Sequence, residues 1–358
     1  MDTLDNVFYS ANVFFGCLFN IVAISLVVKK QNESQNKYYT FMLFLQFGMA
    51  IISAIVLGCL KLHIYVFDDY MVFSLQPLSY PLSNDFIHTC LIGFLIFLLH
   101  FNITIPTGLI AARFFIVCTN SGFKKDSMII ILCLCITLTI IQTFGITFPF
   151  SEHISSDIII KTLEKQRIDS NKLTESTIAL GCKVTDLKFL PLFIIVPIYF
   201  TINYLLIIYF VSKYKLYIKE KKAIISRNCQ KKNKECMTIL IIQAFTPVCL
   251  TGGPFVLIVI LIIIQKVYII SFCINNIVHL ISFIPSVNGL LFAILIPSNR
   301  KLILSTLKKI LDTIMCKKSN KIYNIRTITV INKSLSKIYN SKTNSKRKIT
   351  YQQNPVNF

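Results

Sequence analysis

Long apolar runs, interrupted by short and mostly basic stretches, are the dominant pattern of this chain. The first run covers about 7–28 and stops at Lys29-Lys30. The second covers about 39–60. The third, about 86–118, is longer than one bilayer crossing and must tilt or extend beyond it. A fourth lies at about 128–148 and a fifth at about 190–211. From Met237 to Ile296 the only Lys, Arg, Asp or Glu is Lys266, which marks a turn between two further spans. A helix of about 20 residues crosses the roughly 30 Å of bilayer hydrocarbon. In lipid every backbone group must pair internally, which leaves helices or closed barrels. Continuous runs, rather than alternating ten-residue segments, select helices. The pattern therefore predicts an all-α membrane protein: a bundle of seven transmembrane helices over 1–297.

Composition agrees. The 358 residues are 54% hydrophobic and only 15% charged, with a mean hydropathy of +0.65. A soluble domain carries about 25% charged residues. The first apolar run follows an acidic start (Asp2, Asp5) and is too long for a cleavable signal, so it is expected to act as its own insertion signal.

The charge changes the picture by giving the bundle a direction. Net charge is +21, but the basic residues sit between spans and in the tail, which argues for membrane topology over nucleic acid. With the N-terminus outside, the inner side holds three Lys/Arg by the first loop, three by the second, nine in the third and fourteen after Pro297. Those are 29 of the 37, leaving 8 outside. Inner loops are the basic ones in membrane proteins, so the N-terminus is expected outside. The reverse orientation, as in inverted seven-span ligand-gated channels, would put the 29 outside.

Beyond the last span, 298–316 sets Ile303, Leu304, Leu307, Ile310 and Leu311 beside Arg300, Lys301, Lys308 and Lys309. This is an amphipathic helix suited to an anionic leaflet. Cys316 at its end is either palmitoylated or an unmodified thiol. The Lys-, Asn- and Ser-rich stretch 317–358 reads as a basic, disordered tail.

Polar side chains are costly in lipid and should face the bundle interior. The spans carry Asn20, Gln46, His100, Asn102, Gln142, Asn203, Gln243, Asn275, Asn276, His279 and Asn288. For each alone the bland role is an interhelical hydrogen bond. Together they imply a polar interior. No paired acids, His-Glu-x-x-His or Gly-x-Ser-x-Gly occur in the spans, so no catalytic activity, metal or cofactor is expected. Pro106, Pro191, Pro197, Pro247, Pro254 and Pro285 mark bends, either static or movable. Of the twelve cysteines, Cys90 and Cys182 fall on the oxidising outer side and are expected to pair, pinning the loop 149–188 over the bundle mouth. The sequons at Asn32, Asn102 and Asn332 lie inside or in the membrane and should carry no glycan.

Three motifs carry a resemblance. Ala112-Arg113-Phe114-Phe115 closes the third span. The sixth opens with Lys234-Glu235 and continues through Ile241-Ile242-Gln243 to Pro247 and Pro254. The seventh holds Ile284-Pro285-Ser286-Val287-Asn288-Gly289 and ends at Pro297-Ser298-Asn299-Arg300. With seven spans, these resemble the nematode serpentine chemoreceptors of the Str-type superfamily, which are G-protein-coupled receptors. Two departures stand out. The acid that often precedes the arginine is Ala112, and the usual Asn-Pro of the seventh helix is Asn288-Gly289.

The resemblance implies a plasma-membrane receptor, placed in sensory neurons or cilia. It would bind an external small molecule and signal to a heterotrimeric G protein. His100, Asn102, Asn275 and His279 are the expected pocket linings. Arg113, Gln243, Pro247, Pro285 and Asn288 are the expected coupling and switch residues. The alternative is a transporter or ligand-gated channel, but the spans show neither an inverted repeat nor a charged midplane path.

Overall fold

The computed structural model of the chain describes residues 2–31, 36–67, 70–75, 85–119, 122–150, 152–153, 179–183, 186–223, 226–247, 249–250, 260, 264, 278–297, 299–309 and 313. Asn275, Asn276, Pro254, Lys266, Cys316 and the tail lie outside the described residues. The chain separates into two units, Met1–Asn299 and Arg300–Phe358.

The apolar runs become α1 (Asp2–Gln31), α2 (Lys37–Leu60), α3 (Asp85–Cys118), α4 (Lys125–Thr147) and α5 (Leu190–Glu220). All five contain stretches long and apolar enough to cross a membrane. They are followed by α6 (Arg227–Pro247) and α7 (Ile284–Leu295), the latter preceded by helical residues 278–282. Two helices run further than their apolar segments. α5 continues nine residues past Val211, and α6 begins ten residues before Met237. Lys and Arg are good helix formers, so a helix need not stop where the hydrocarbon does.

α3 is the hub. It packs against α2, α4, α5 and α6, while α1 packs against α2 and α7. Burial is inverted relative to a water-soluble bundle. Ile140, Ile141 and Phe144 of α4 are more than half exposed, whereas Gln46, Asn102, Gln142, Gln243 and Asn288 are wholly buried. That is the arrangement lipid demands, with apolar surface outward and polar groups between helices.

A feature the apolar pattern did not foretell closes one end of the bundle. Strands β1 (Leu62–Phe67), β2 (Tyr70–Leu75), β3 (Glu152–His153) and β4 (Ala179–Lys183) form an antiparallel sheet in the order β1-β2-β4-β3. Its buried side joins the helix core through Leu62, Phe73, Leu75, Leu180, Ile92, Phe150 and Phe189. Phe73 and Phe150 meet edge-on at 4.2 Å between centroids. The Tyr9 hydroxyl donates to the Leu62 carbonyl at 2.7 Å, tying α1 to β1.

The two cysteines expected to pair fall on different elements. Cys182 is buried in β4 opposite Met71, with its Sγ 3.5 Å from the Lys183 carbonyl oxygen. Cys90 lies on an exposed face of α3, and the two sulfurs are not joined. β4 itself pairs with β2 and β3.

In the second unit, residues 300–309 are helical. Leu304, Leu307, Lys301, Lys308 and Lys309 are all exposed there.

Candidate functional site

Polar side chains of the interior gather into three connected groups along α3. The first joins α3, α4 and α5. The Tyr199 hydroxyl lies 2.5 Å from Thr104 Oγ1 and 3.0 Å from the His100 carbonyl oxygen. Thr139 Oγ1 is 3.3 Å from Thr104 Oγ1. His100 Nδ1 lies 2.8 Å from the Ile96 carbonyl oxygen, which only accepts, so Nδ1 carries a proton. His100 Nε2 lies 3.5 Å from the Gln142 amide nitrogen, and the ring packs 5.5 Å from that of Tyr199.

The second group joins α1, α3, α6 and α7. Gln243 Nε2 donates to the Asn288 carbonyl at 2.8 Å, and Asn288 Nδ2 donates to the Asn102 carbonyl at 3.4 Å. Asn102 donates to Leu98 of its own helix at 2.8 Å. Asn20 Nδ2 reaches the Pro285 carbonyl at 3.0 Å, and Ser286 Oγ lies 3.0 Å from Asn12 Oδ1. The close approach explains Gly289. A Cβ there would sit 2.8 Å from Asn20 Oδ1 and 2.9 Å from the Phe19 backbone. The glycine that replaces proline thus lets α1 and α7 touch, and side-chain amides bridge them.

The third group sits where α3 ends. Arg113 Nη2 donates to Asn233 Oδ1 of α6 at 2.6 Å. The guanidinium also lies 5.8 Å from the Tyr39 ring centroid of α2, within cation–π range. The Tyr39 hydroxyl is 3.9 Å from Cys236 Sγ, a second link to α6. Phe114 and Phe115 contact Phe210 of α5 at 5.6 and 6.4 Å. Thus the Arg-Phe-Phe motif touches three helices. With Ala112 in place of an acid, the arginine finds a neutral amide 120 residues away. The sequence named Arg113 and left Asn233 unnoticed, because one asparagine among nine basic residues gives no signal of its partner.

The sequence-derived candidates therefore divide. Gln243, Asn288 and Asn102 come together, with Pro285 joined to the same group through Asn20. Pro247 is buried at the end of α6. His100 belongs to the α4–α5 side. His279 packs instead against α1, with its ring 4.3 Å from Phe8 and 5.5 Å from Tyr9. Several buried asparagines donate to the carbonyl one turn back, as Asn20 does to Gly16 and Asn203 to Tyr199. Among the described residues, no group of His, Cys, Asp and Glu could hold a metal ion.

A rhodopsin has a similar fold. The crystal structure of squid rhodopsin superposes with a TM-score of 0.52 at 12% sequence identity, covering 86% of this chain and 85% of that chain. At that identity the likeness concerns fold alone. No curated protein matches the sequence. The model of the family described as "Serpentine type 7TM GPCR chemoreceptor Str" matches residues 5–304. The matched segment contains all three polar groups. The chain belongs to the Str family of serpentine seven-transmembrane G-protein-coupled chemoreceptors.

Proposed function

We propose that this receptor is chemosensory: it takes a small molecule from outside the cell and activates a heterotrimeric G protein at its Arg113 end. Its site would be the plasma membrane of sensory neurons or cilia, with the N-terminus outside. The distribution of basic residues supports that direction, with nine in 212–235, next to Arg113's partner helix.

The observation that carries the reading is the Arg113–Asn233 bond, which joins α3 to α6 at 2.6 Å. A hydrogen bond to a charged group contributes about 1.5–3 kcal/mol. This is enough to hold two helices together and small enough for ligand binding to offset. The ligand would enter beside α3 and α5, against His100, with His279, which packs against α1, and Asn275 as the other expected linings. Asn102 is wholly buried beneath Asn288, which favours a role in relaying movement over touching ligand directly.

A ligand shifts the equilibrium only through unequal affinity for the two states. Contacts better made when α6 swings away would be offset by loss of Arg113–Asn233 and Gln243–Asn288. The freed arginine and the basic α6 start would then meet the G protein. The test is G-protein activation against a panel of volatile and water-soluble odorants, with Arg113→Ala alongside. Ligand responses should vanish in Arg113→Ala at equal surface expression. Undiminished responses in that variant would refute the role given to Arg113.

A further inference from the structure

We propose that the Arg113 end carries a binding site for an inner-leaflet lipid whose headgroup bears phosphate monoesters, set between α5 and α6. A cleft of about 460 Å³ opens there. Four of its lining residues are basic: Lys215 on α5, and Arg227, Lys231 and Lys234 on α6. All four are exposed. Glu220 and Glu235, the acids nearest in sequence, do not line it.

Helical spacing turns these residues into a gradient. Arg227, Lys231, Lys234, Thr238 and Ile241 recur every three or four residues, so they form one stripe along α6. The stripe is basic over its first two turns and then changes character. Met237 and Ile241, with Ile218 from α5, make the apolar half of the cleft. At about 1.5 Å per residue, Lys234 and Ile241 stand about 10 Å apart along the axis. That is the scale on which a bilayer passes from headgroup to acyl chain. A phosphorylated headgroup fits the basic half and the start of an acyl chain fits the apolar half. Basic pockets between helices on the cytoplasmic side recognise such headgroups. A soluble acidic segment would satisfy the lysines and leave Ile218 and Ile241 without a use.

The site rests on the proposed orientation only for which leaflet supplies the lipid. Its chemistry does not depend on ligand or G-protein activity, and the test is independent of both. The full-length protein is placed in phosphatidylcholine nanodiscs doped with fluorescent phosphatidylinositol bisphosphate, and binding is read by energy transfer. Lys231→Gln with Lys234→Gln should weaken binding about thirtyfold, given about 1 kcal/mol per basic residue near a membrane surface. Lys231→Arg with Lys234→Arg should retain it, which separates lost charge from lost folding. Lys301→Gln with Lys308→Gln, in the second unit, should change it less than twofold. Soluble inositol trisphosphate should compete poorly because it lacks the acyl chains.

Four results would overturn the site. Equal affinity of the Gln pair and the native chain would remove the cleft from binding. Loss in the Lys301/Lys308 pair alone would move binding to the juxtamembrane helix. Equal affinity for the soluble headgroup would make this an anion site without a lipid. Tighter occupancy by an acidic peptide would make it a protein-docking face.

Discussion

The two ends of the bundle are held together by different means. At the sheet end, four strands pair through backbone hydrogen bonds over a continuous apolar core. Phe73, Phe150 and Phe189 interlock beneath them, and Tyr9 pins α1 to β1. At the Arg113 end, α3 and α6 are joined by the charged Arg113–Asn233 hydrogen bond and a cation–π contact relayed by Tyr39, and a cleft opens between α5 and α6. A packed aromatic core resists graded change, since removing any part leaves a cavity. A bond of a few kcal/mol has two states, made and broken. In the proposed function, the sheet end would supply a fixed frame and α6 the movable part.

The largest expected effect breaks the frame. Phe150→Ala should lower stability by about 3–5 kcal/mol through loss of buried surface and the cavity left behind. A thermal-shift measurement on purified protein would show it, while ligand-free signalling per folded receptor stays unchanged. If signalling rises instead, the sheet end is part of the switch and the contrast between the ends fails.

A smaller effect is expected midway along the bundle. Gly289→Ala sets a methyl group against the Phe19 backbone and Asn20, so α1 and α7 must separate. Overpacking of this kind costs about 1–3 kcal/mol. The same thermal measurement checks it, and Asn20→Ala added to Gly289→Ala should recover only part of the loss, because the backbone clash remains.

The smallest effect sharpens the comparison. Tyr199→Phe removes one hydroxyl from Thr104 and the His100 carbonyl. Stability should fall by about 1 kcal/mol, the net worth of a typical hydrogen bond. If His100 lines the pocket, ligand potency should move with it, since Tyr199 packs against that ring. A dose–response curve for any active ligand reads this directly.

Much of the helical framework was legible because lipid imposes a simple rule on sequence. A run of about 20 apolar residues has few other uses, and α1 to α5 match their runs. The ends of α5 and α6 were misjudged because the rule describes the hydrocarbon, while a basic helix can continue into water. The sheet was missed because Leu62–Leu75 is only a short apolar stretch between two much stronger signals. Its β-branched and aromatic residues, Ile64, Tyr65, Val66, Val72 and Phe73, carry a strand signal that is weak beside the long apolar runs that flank it. Among the polar groups, Arg113, Gln243 and Asn288 were legible as costly side chains in or beside lipid. Asn233 was not, because its meaning lies in a partner 120 residues away.

The central claim is that the Arg113–Asn233 bond holds α6 against α3 in the resting receptor. Its most direct test is ligand-free nucleotide exchange on a G protein by three purified proteins: native, Asn233→Leu and Asn233→Asp. Leucine removes the acceptor and should raise basal exchange about tenfold, the equivalent of a little over 1 kcal/mol. Aspartate keeps the geometry and adds opposite charge, so basal exchange should drop below native. Equal exchange by all three proteins, at equal folded amounts, would contradict the account.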